Sequence, residues 1–393
     1  MTLLTSAKIL KLAGFALGLF AVQTFWGFTW ATLPLYLKAM TQSNVATGIV
    51  ISTAGITGLF FPVLAGMISD RISTPLGRRK PLIIAGWVLA CVMILLLAQI
   101  DSLYWALPVI LLAYAGFFLA IGPYFALLPD IFEESERTLA SGVMFLVGGM
   151  GVLSYLLFAA RSWETSPLLP FVWVVAAVSV SVTILCFAVE EPAGEGRRGH
   201  PALFSGIFCK KTLLKFLAGM ALQWISLWMV SAFFVITCMA LFGLGVERAV
   251  GAFFVLNASF VCFALPAGLL AGRLGMKKTT ILGMAILAAC FCLIPFIPSY
   301  GMLMVFMVIA GAGYGTVLAV SYPFFLSLLP EGNAAGYAGL YHACQNGTLL
   351  AGPVLAGWII DSFGYTVLFY GAAAVMLAGM LVYLTVRSAP TDR

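Results

Sequence analysis

Twelve apolar stretches, each at least 20 residues long, follow one another through this chain, at 12–39, 44–69, 81–100, 103–128, 138–161, 168–189, 211–241, 247–272, 278–298, 301–329, 337–360 and 364–387. A bilayer core about 30 Å thick is crossed by about 20 apolar residues in a helix. In lipid each backbone N–H and C=O must be paired within its own segment, so these stretches read as helices and not as strands. Composition points to the same solvent. The chain is 63% hydrophobic and 9% charged, with a mean hydropathy of +1.10, where a water-soluble domain has roughly 45–50% apolar and about 25% charged residues. An all-α integral membrane protein is expected. The run from Leu12 to Met40 exceeds the about 7–15 apolar residues of a signal peptide, so it is expected to be a retained first helix.

Residues 190–210, rich in Gly, Pro and charge, are the one stretch that reads as a linker. They divide the chain into an N-terminal bundle, 1–189, and a C-terminal bundle, 211–393, of six helices each. With the N-terminus placed in the cytoplasm, 17 of the 20 Lys and Arg residues fall on inward loops, and only Lys38, Arg161 and Arg248 fall outside. That asymmetry predicts both termini inside. The halves also repeat. "FPVLAGMISDRISTPLGRRKPLIIAG" at 61–86 matches "LPAGLLAGRLGMKKTTILG" at 265–283, and "FWGFTW" at 25–30 matches "QWISLW" at 223–228. Duplicated bundles joined by a polar linker are a transporter layout. No nucleotide-binding loop is present, so direct ATP drive and enzyme activity are not expected. The cysteines lack metal-binding spacing, so no metal and no cofactor is expected. The net charge of +6 is scattered over short loops, which argues against a nucleic-acid partner.

The loop "GMISDRISTPLGRRKP" after the second stretch resembles the signature of the major facilitator superfamily, G-x-x-x-D-R-x-G-R-R/K. Extra residues stand between Asp70-Arg71 and Gly77-Arg78-Arg79. That longer spacing, with Lys80-Pro81 after it, is similar to the sucrose transporters and the glycoside–pentoside–hexuronide branch. "LLPDIFEESERTLASG" after the fourth stretch resembles that branch too. The resemblance implies twelve transmembrane helices in two pseudo-symmetric bundles. It also implies that Asp70, Arg71, Gly77, Arg78 and Arg79 form a cytoplasmic latch, with Asp130 and Arg137 as a second latch. A basic anchor at the membrane surface is the alternative reading of the same loop.

No Asp or Glu falls in mid-stretch, although an intramembrane acid is the usual ion handle. His342 is the one titratable group well inside a helix, and it serves either as a proton carrier or as a histidine hydrogen-bonded across helices. Gln345 and Asn346 share its helix face. Trp26 and Trp30 are i, i+4, as are Trp224 and Trp228, and Gln23 stands one turn before Trp26. The resemblance places these four indoles on cavity-lining helices, where their flat faces suit a sugar ring or a planar lipophilic compound. Packing against neighbouring helices is the competing role. Tyr124, Tyr314 and Tyr322, beside Gly and Pro residues in the fourth and tenth stretches, are further substrate-binding candidates.

The reading is a monomeric, multi-pass secondary transporter of the plasma membrane, a bacterial inner membrane, working by alternating access. A sugar or related polar metabolite is the favoured solute, with or without proton coupling. An efflux carrier for lipophilic or amphipathic compounds, and a non-transporting membrane ligand binder, are the alternatives. The charge bias makes a direct prediction. Reporter tags inserted at 197–200 will be cytoplasmic and tags at 163–167 external, and reversed labelling overturns the orientation.

Overall fold

A computed structural model of the protein describes residues 6–69, 71–72, 74–163, 165–191, 211–329 and 334–386. Most of the expected linker, 192–210, and the latch residue Asp70 lie outside the described residues. Among the described residues the secondary structure is helical, apart from one isolated bridge between Thr74 and Gly77. Among the described residues eleven helical runs are long and apolar enough to cross a membrane.

The first run is not one continuous α-helix. It comprises α1 (Ser6–Gly27), a π-helical turn (Phe28–Thr32) and α2 (Leu33–Met40). Pro34 explains the position of the turn, because proline has no N–H to offer the carbonyl four residues back, that of Trp30. The helices α3 (Asn44–Ser69), α4 (Lys80–Leu97), α5 (Leu103–Ile131), α6 (Glu134–Ser162) and α7 (Leu169–Ala188) follow. After the linker come α8 (Lys211–Phe242), α9 (Val246–Leu274), α10 (Met276–Leu293) and α11 (Tyr300–Ser327). The stretch expected as one helix over 337–360 is also broken. α12 (Ala334–Gly347) passes through a 3₁₀ turn (Thr348–Leu350) into α13 (Gly352–Phe363). Here Pro353 withholds its N–H from the carbonyl of Leu349. The last helix is α14 (Tyr365–Leu384).

The chain forms two compact units. One comprises Met1–Thr41 and Ile56–Gly199, the other Gln42–Gly55 and His200–Arg393. The first twelve residues of α3 therefore pack with the second unit, whereas the division expected from the sequence assigns all of 1–189 to the first bundle.

Within the first unit α1 packs on α6 and α7, and α4 on α5. The α4–α5 crossing depends on Gly86 and Gly116. A Cβ on Gly86 would lie 2.5 Å from the Gly116 carbonyl oxygen, and one on Gly116 would lie 2.6 Å from that of Gly86. Small residues allow such backbone approach where lipid supplies no hydrophobic force between helices. The second unit repeats the device with the same spacing along the chain. Gly283 of α10 faces Gly313 of α11, and a Cβ on either would lie 3.0 or 3.2 Å from the other's carbonyl oxygen. Helix ends are repeated as well. Lys80 Nζ donates to the Cys186 carbonyl at the end of α7 at 3.0 Å. Lys277 Nζ donates to the carbonyls of Leu384 and Val386 after α14, at 2.9 and 2.6 Å. In each case a cation satisfies carbonyls that a helix C-terminus leaves open.

The two glycine pairs differ in what an added methyl group meets. At Gly86 it meets backbone at 2.5 and 2.8 Å, and at Gly283 it first meets the Val317 side chain at 2.9 Å. Gly86→Ala is expected to destabilise by roughly 1–3 kcal/mol, as overpacking does, and Gly283→Ala by less. Thermal unfolding of the purified variants checks the order, and equal or reversed shifts contradict it.

Candidate functional site

Two features of the first unit concentrate function-bearing residues: the loop between α3 and α4, and the indoles around the π-helical turn. The loop begins with a tight turn in which the Gly77 N–H donates to the Thr74 carbonyl at 2.9 Å and Thr74 Oγ1 donates to the Gly77 carbonyl at 2.7 Å. Gly77 has φ +102°, a conformation in which a side chain is strained. Space demands glycine there as well, because a Cβ would lie 2.2 Å from Glu191 Oε2.

Glu191 organises the loop. Its side chain is 1% exposed. Its carboxylate accepts from the backbone N–H of Arg79 at 2.9 and 3.0 Å and from that of Lys80 at 3.4 Å. These are amides at the start of α4, which lack partners within the helix and carry its positive partial charge. Arg78 Nε lies 3.9 Å from the same carboxylate. A second acid completes the cluster. Asp130 Oδ2 accepts from Arg78 Nη2 at 2.9 Å and from Arg79 Nε at 3.2 Å. Arg79 also donates to Ser69 Oγ at the end of α3. The loop is thus tied to the ends of α3, α5 and α7.

The expected pairing of Asp130 with Arg137 is replaced by this arrangement. Arg137 donates instead to the carbonyls of Phe132 and Pro129, at 3.2 and 3.1 Å, where α5 ends. Arg71 is exposed. The sequence reading placed Glu191 among loop charges at the linker, and the one available signal was its position at the junction of an apolar run with a polar segment.

The indole faces form as the i, i+4 spacing requires. Trp26 and Trp30 stack with centroids 5.3 Å apart and planes 4° from parallel. Trp30 lies inside the π-helical turn, and Trp26 is half-buried beside Phe117 and Phe118. Gln23, one turn earlier, is half-buried. In the second unit Trp224 and Trp228 stack at 4.8 Å and 25°. Trp228 Nε1 donates to Thr348 Oγ1 at 3.1 Å, and that hydroxyl donates to the Gln345 carbonyl at 2.6 Å. The 3₁₀ break is therefore bonded to the indole pair. Each unit sets a stacked tryptophan pair against irregular helix, with Trp30, Trp224 and Trp228 buried and Trp26 half-buried.

The remaining candidates separate. Tyr124 is 1% exposed, donates to the Phe15 carbonyl at 3.0 Å and stacks on Phe15. Its hydroxyl and one ring face are thus engaged in packing. Tyr314 is half-buried against Phe260. Tyr322 contacts both Tyr341 and His342, at 5.0 and 5.9 Å between ring centroids. His342 lies inside α12, as expected, where its surface is accessible. Gln345 and Asn346 are half-buried on the same helix. Among the described residues no group of three or more His, Cys, Asp or Glu side chains could hold a metal ion.

Glu191 gives the prediction for this loop. Glu191→Gln removes the charge facing Arg78 and the start of α4. It should lower stability by roughly 1–3 kcal/mol, the range for hydrogen bonds to charged groups. Glu190→Gln, at an exposed neighbour, should leave stability unchanged. Thermal unfolding of the two variants side by side decides the matter, and equal behaviour rejects the organising role.

A model of the Major Facilitator Superfamily matches residues 15–263 and 249–393. The Sucrose transport protein SUC4 of Arabidopsis thaliana is 26% identical over 174 residues, 39% of this chain and 34% of that protein. Matches to the curated relatives span about a third of their length. A crystal structure of a variant of the nucleoside transporter NupG superposes with a TM-score of 0.80 at 16% identity, covering 96% of this chain and 99% of the other. A bacterial homolog to the human lysosomal transporter Spinster superposes with a TM-score of 0.73 at 17% identity, covering 98% and 99%.

Proposed function

This chain belongs to the major facilitator superfamily, and from that premise we propose that it carries a small, ring-bearing polar solute across a membrane by alternating access. The observation that carries the reading is the pair of stacked indole faces, Trp26 with Trp30 and Trp224 with Trp228, each set against irregular helix. A sugar or related metabolite presents C–H faces that pack on indole and hydroxyls that reach side chains such as Gln23, Gln345 and Asn346. The names of a sucrose-transporting relative and a nucleoside-transporting structural neighbour support a polar ring as the cargo. The aromatic lining itself also favours a lipophilic compound, and this is the second reading.

Two six-helix halves, 1–189 and 211–393, joined by 190–210, would carry the motion, with both termini cytoplasmic and a monomer in a bacterial inner membrane. Asp70, Arg71, Arg78, Arg79, Asp130 and Arg137 would set the populations of the conformational states rather than contact solute. His342 is the residue through which a proton would couple. Facilitated movement without coupling is the simpler mechanism, because among the described residues no acid pairs with His342 to hold a proton against a gradient.

The test is a panel of mono- and disaccharides, nucleosides and lipophilic cations, scored by thermal shift on the purified protein. Sugars or nucleosides are expected to stabilise it, and stabilisation by lipophilic cations alone transfers the assignment to efflux. With the active solute, Trp26→Ala and Trp224→Ala should each weaken binding more than the Phe variants. The difference should be on the order of 1 kcal/mol, the worth of an aromatic face beyond its buried area. Unchanged affinity in both alanine variants assigns the indoles to packing.

A further inference from the structure

Asp361 is exposed, yet its carboxylate is fully engaged. It lies near the end of α13, within the second unit. Its Oδ1 accepts from the backbone N–H of Asn44 at 3.0 Å and from Asn44 Nδ2 at 2.6 Å. Its Oδ2 accepts from the backbone N–H of Val45 at 2.9 Å and from Ser43 Oγ at 3.0 Å. One carboxylate thus takes the first open amides of α3 and faces the positive end of its dipole. Hydrogen bonds to an ionised acceptor are roughly twice as strong as neutral ones.

Below this clasp α3 and α13 approach as closely as backbones can. A Cβ on Gly357 would lie 2.3 Å from the Asn44 carbonyl oxygen, and one on Gly48 would lie 2.3 Å from that of Pro353. A Cβ on Gly55 would lie 2.6 Å from the Leu350 amide nitrogen. The seam therefore runs from Asp361 to the 3₁₀ turn. At that end Gly352 abuts Trp228, whose Cβ lies 2.6 Å from where a Cβ on Gly352 would stand. Separated from α12 by the turn, α13 is a short rigid rod with the indole pair at one end and the clasp at the other. The seam is closely packed, so it can be closed or open but has no intermediate spacing that keeps its contacts.

We propose that Asp361 is a gating residue: its carboxylate clasps the first turn of α3 to the end of α13, and the clasp opens when solute is exchanged on that face of the membrane. α13 links the clasp to Trp228, so a solute seated on the indoles biases the seam. This inference rests on the transporter reading above, and its test has an arm that needs no solute.

Amide hydrogen exchange is measured on the full-length protein in nanodiscs, for wild type, Asp361→Asn and Asn44→Ala. In Asp361→Asn, segments 44–55 and 349–360 should exchange together at least about tenfold faster, as follows from neutralising a charged acceptor. Segments in α4 and α5 should keep wild-type protection. Asn44→Ala, which removes one side-chain donor, should give the same pattern at smaller amplitude, and it decides the matter if Asp361→Asn fails to fold. Acceleration confined to residues 44–46 is what loss of a helix cap alone produces, and it overturns the proposal. In the second arm, a solute found by thermal shift should change exchange across the same seam in wild type, and an unchanged seam with solute bound also overturns it. If no solute in the panel binds, the transporter reading loses its support while the first arm still decides the clasp.

Discussion

Backbone amides and carbonyls that cannot reach water must be paired by protein, and in this chain that requirement has its sharpest effect at helix ends and breaks. Mid-helix groups pair within their own segment. The ends leave groups open, and the side chains that close them are the charged residues an apolar sequence can place at its edges. Glu191 closes the start of α4 and Asp361 the start of α3. Lys80 and Lys277 close the ends of α7 and α14. Some of the charge that composition alone assigns to solvated loops is thus placed at helix termini.

Close approach of backbones is the second requirement, and glycine meets it. Gly86 with Gly116 and Gly283 with Gly313 occupy equivalent places in the two halves of the sequence. The repeat first visible as similar strings is therefore a repeat of packing geometry. It is not complete. The indole pair of the first unit adjoins a π-helical turn in its own helix run, whereas that of the second unit is bonded to a 3₁₀ turn in another helix. The two units thus carry different irregular backbone beside their indole pairs.

Several residues changed role once their neighbours were known. Tyr124 has the composition of a cavity residue, yet its hydroxyl is bonded to the Phe15 carbonyl. Arg137 lies near Asp130 in sequence but caps carbonyls at the end of α5, because Arg78 and Arg79 already hold that carboxylate. Each outcome depends on which partner arrives from a distant part of the chain, and no local pattern carries that information.

The sequence by itself determined the solvent, the helices, the shared helix faces of Trp26 with Trp30 and of Trp224 with Trp228, and the glycine-dependent turn at Gly77. These follow from hydropathy, from helical periodicity and from the conformational limits of single residues, all of which are local. It also carried Pro34 and Pro353, just beyond each break, but Pro108 and Pro123 lie inside the unbroken α5, so proline alone does not say which helix gives way. Only the tertiary structure decided that, together with the burial of Glu191, the sharing of α3 between the two units and the clasp at Asp361. A carboxylate's partner is whichever helix end is held within about 3 Å of it, and that distance is set by the packing of helices far apart in the chain.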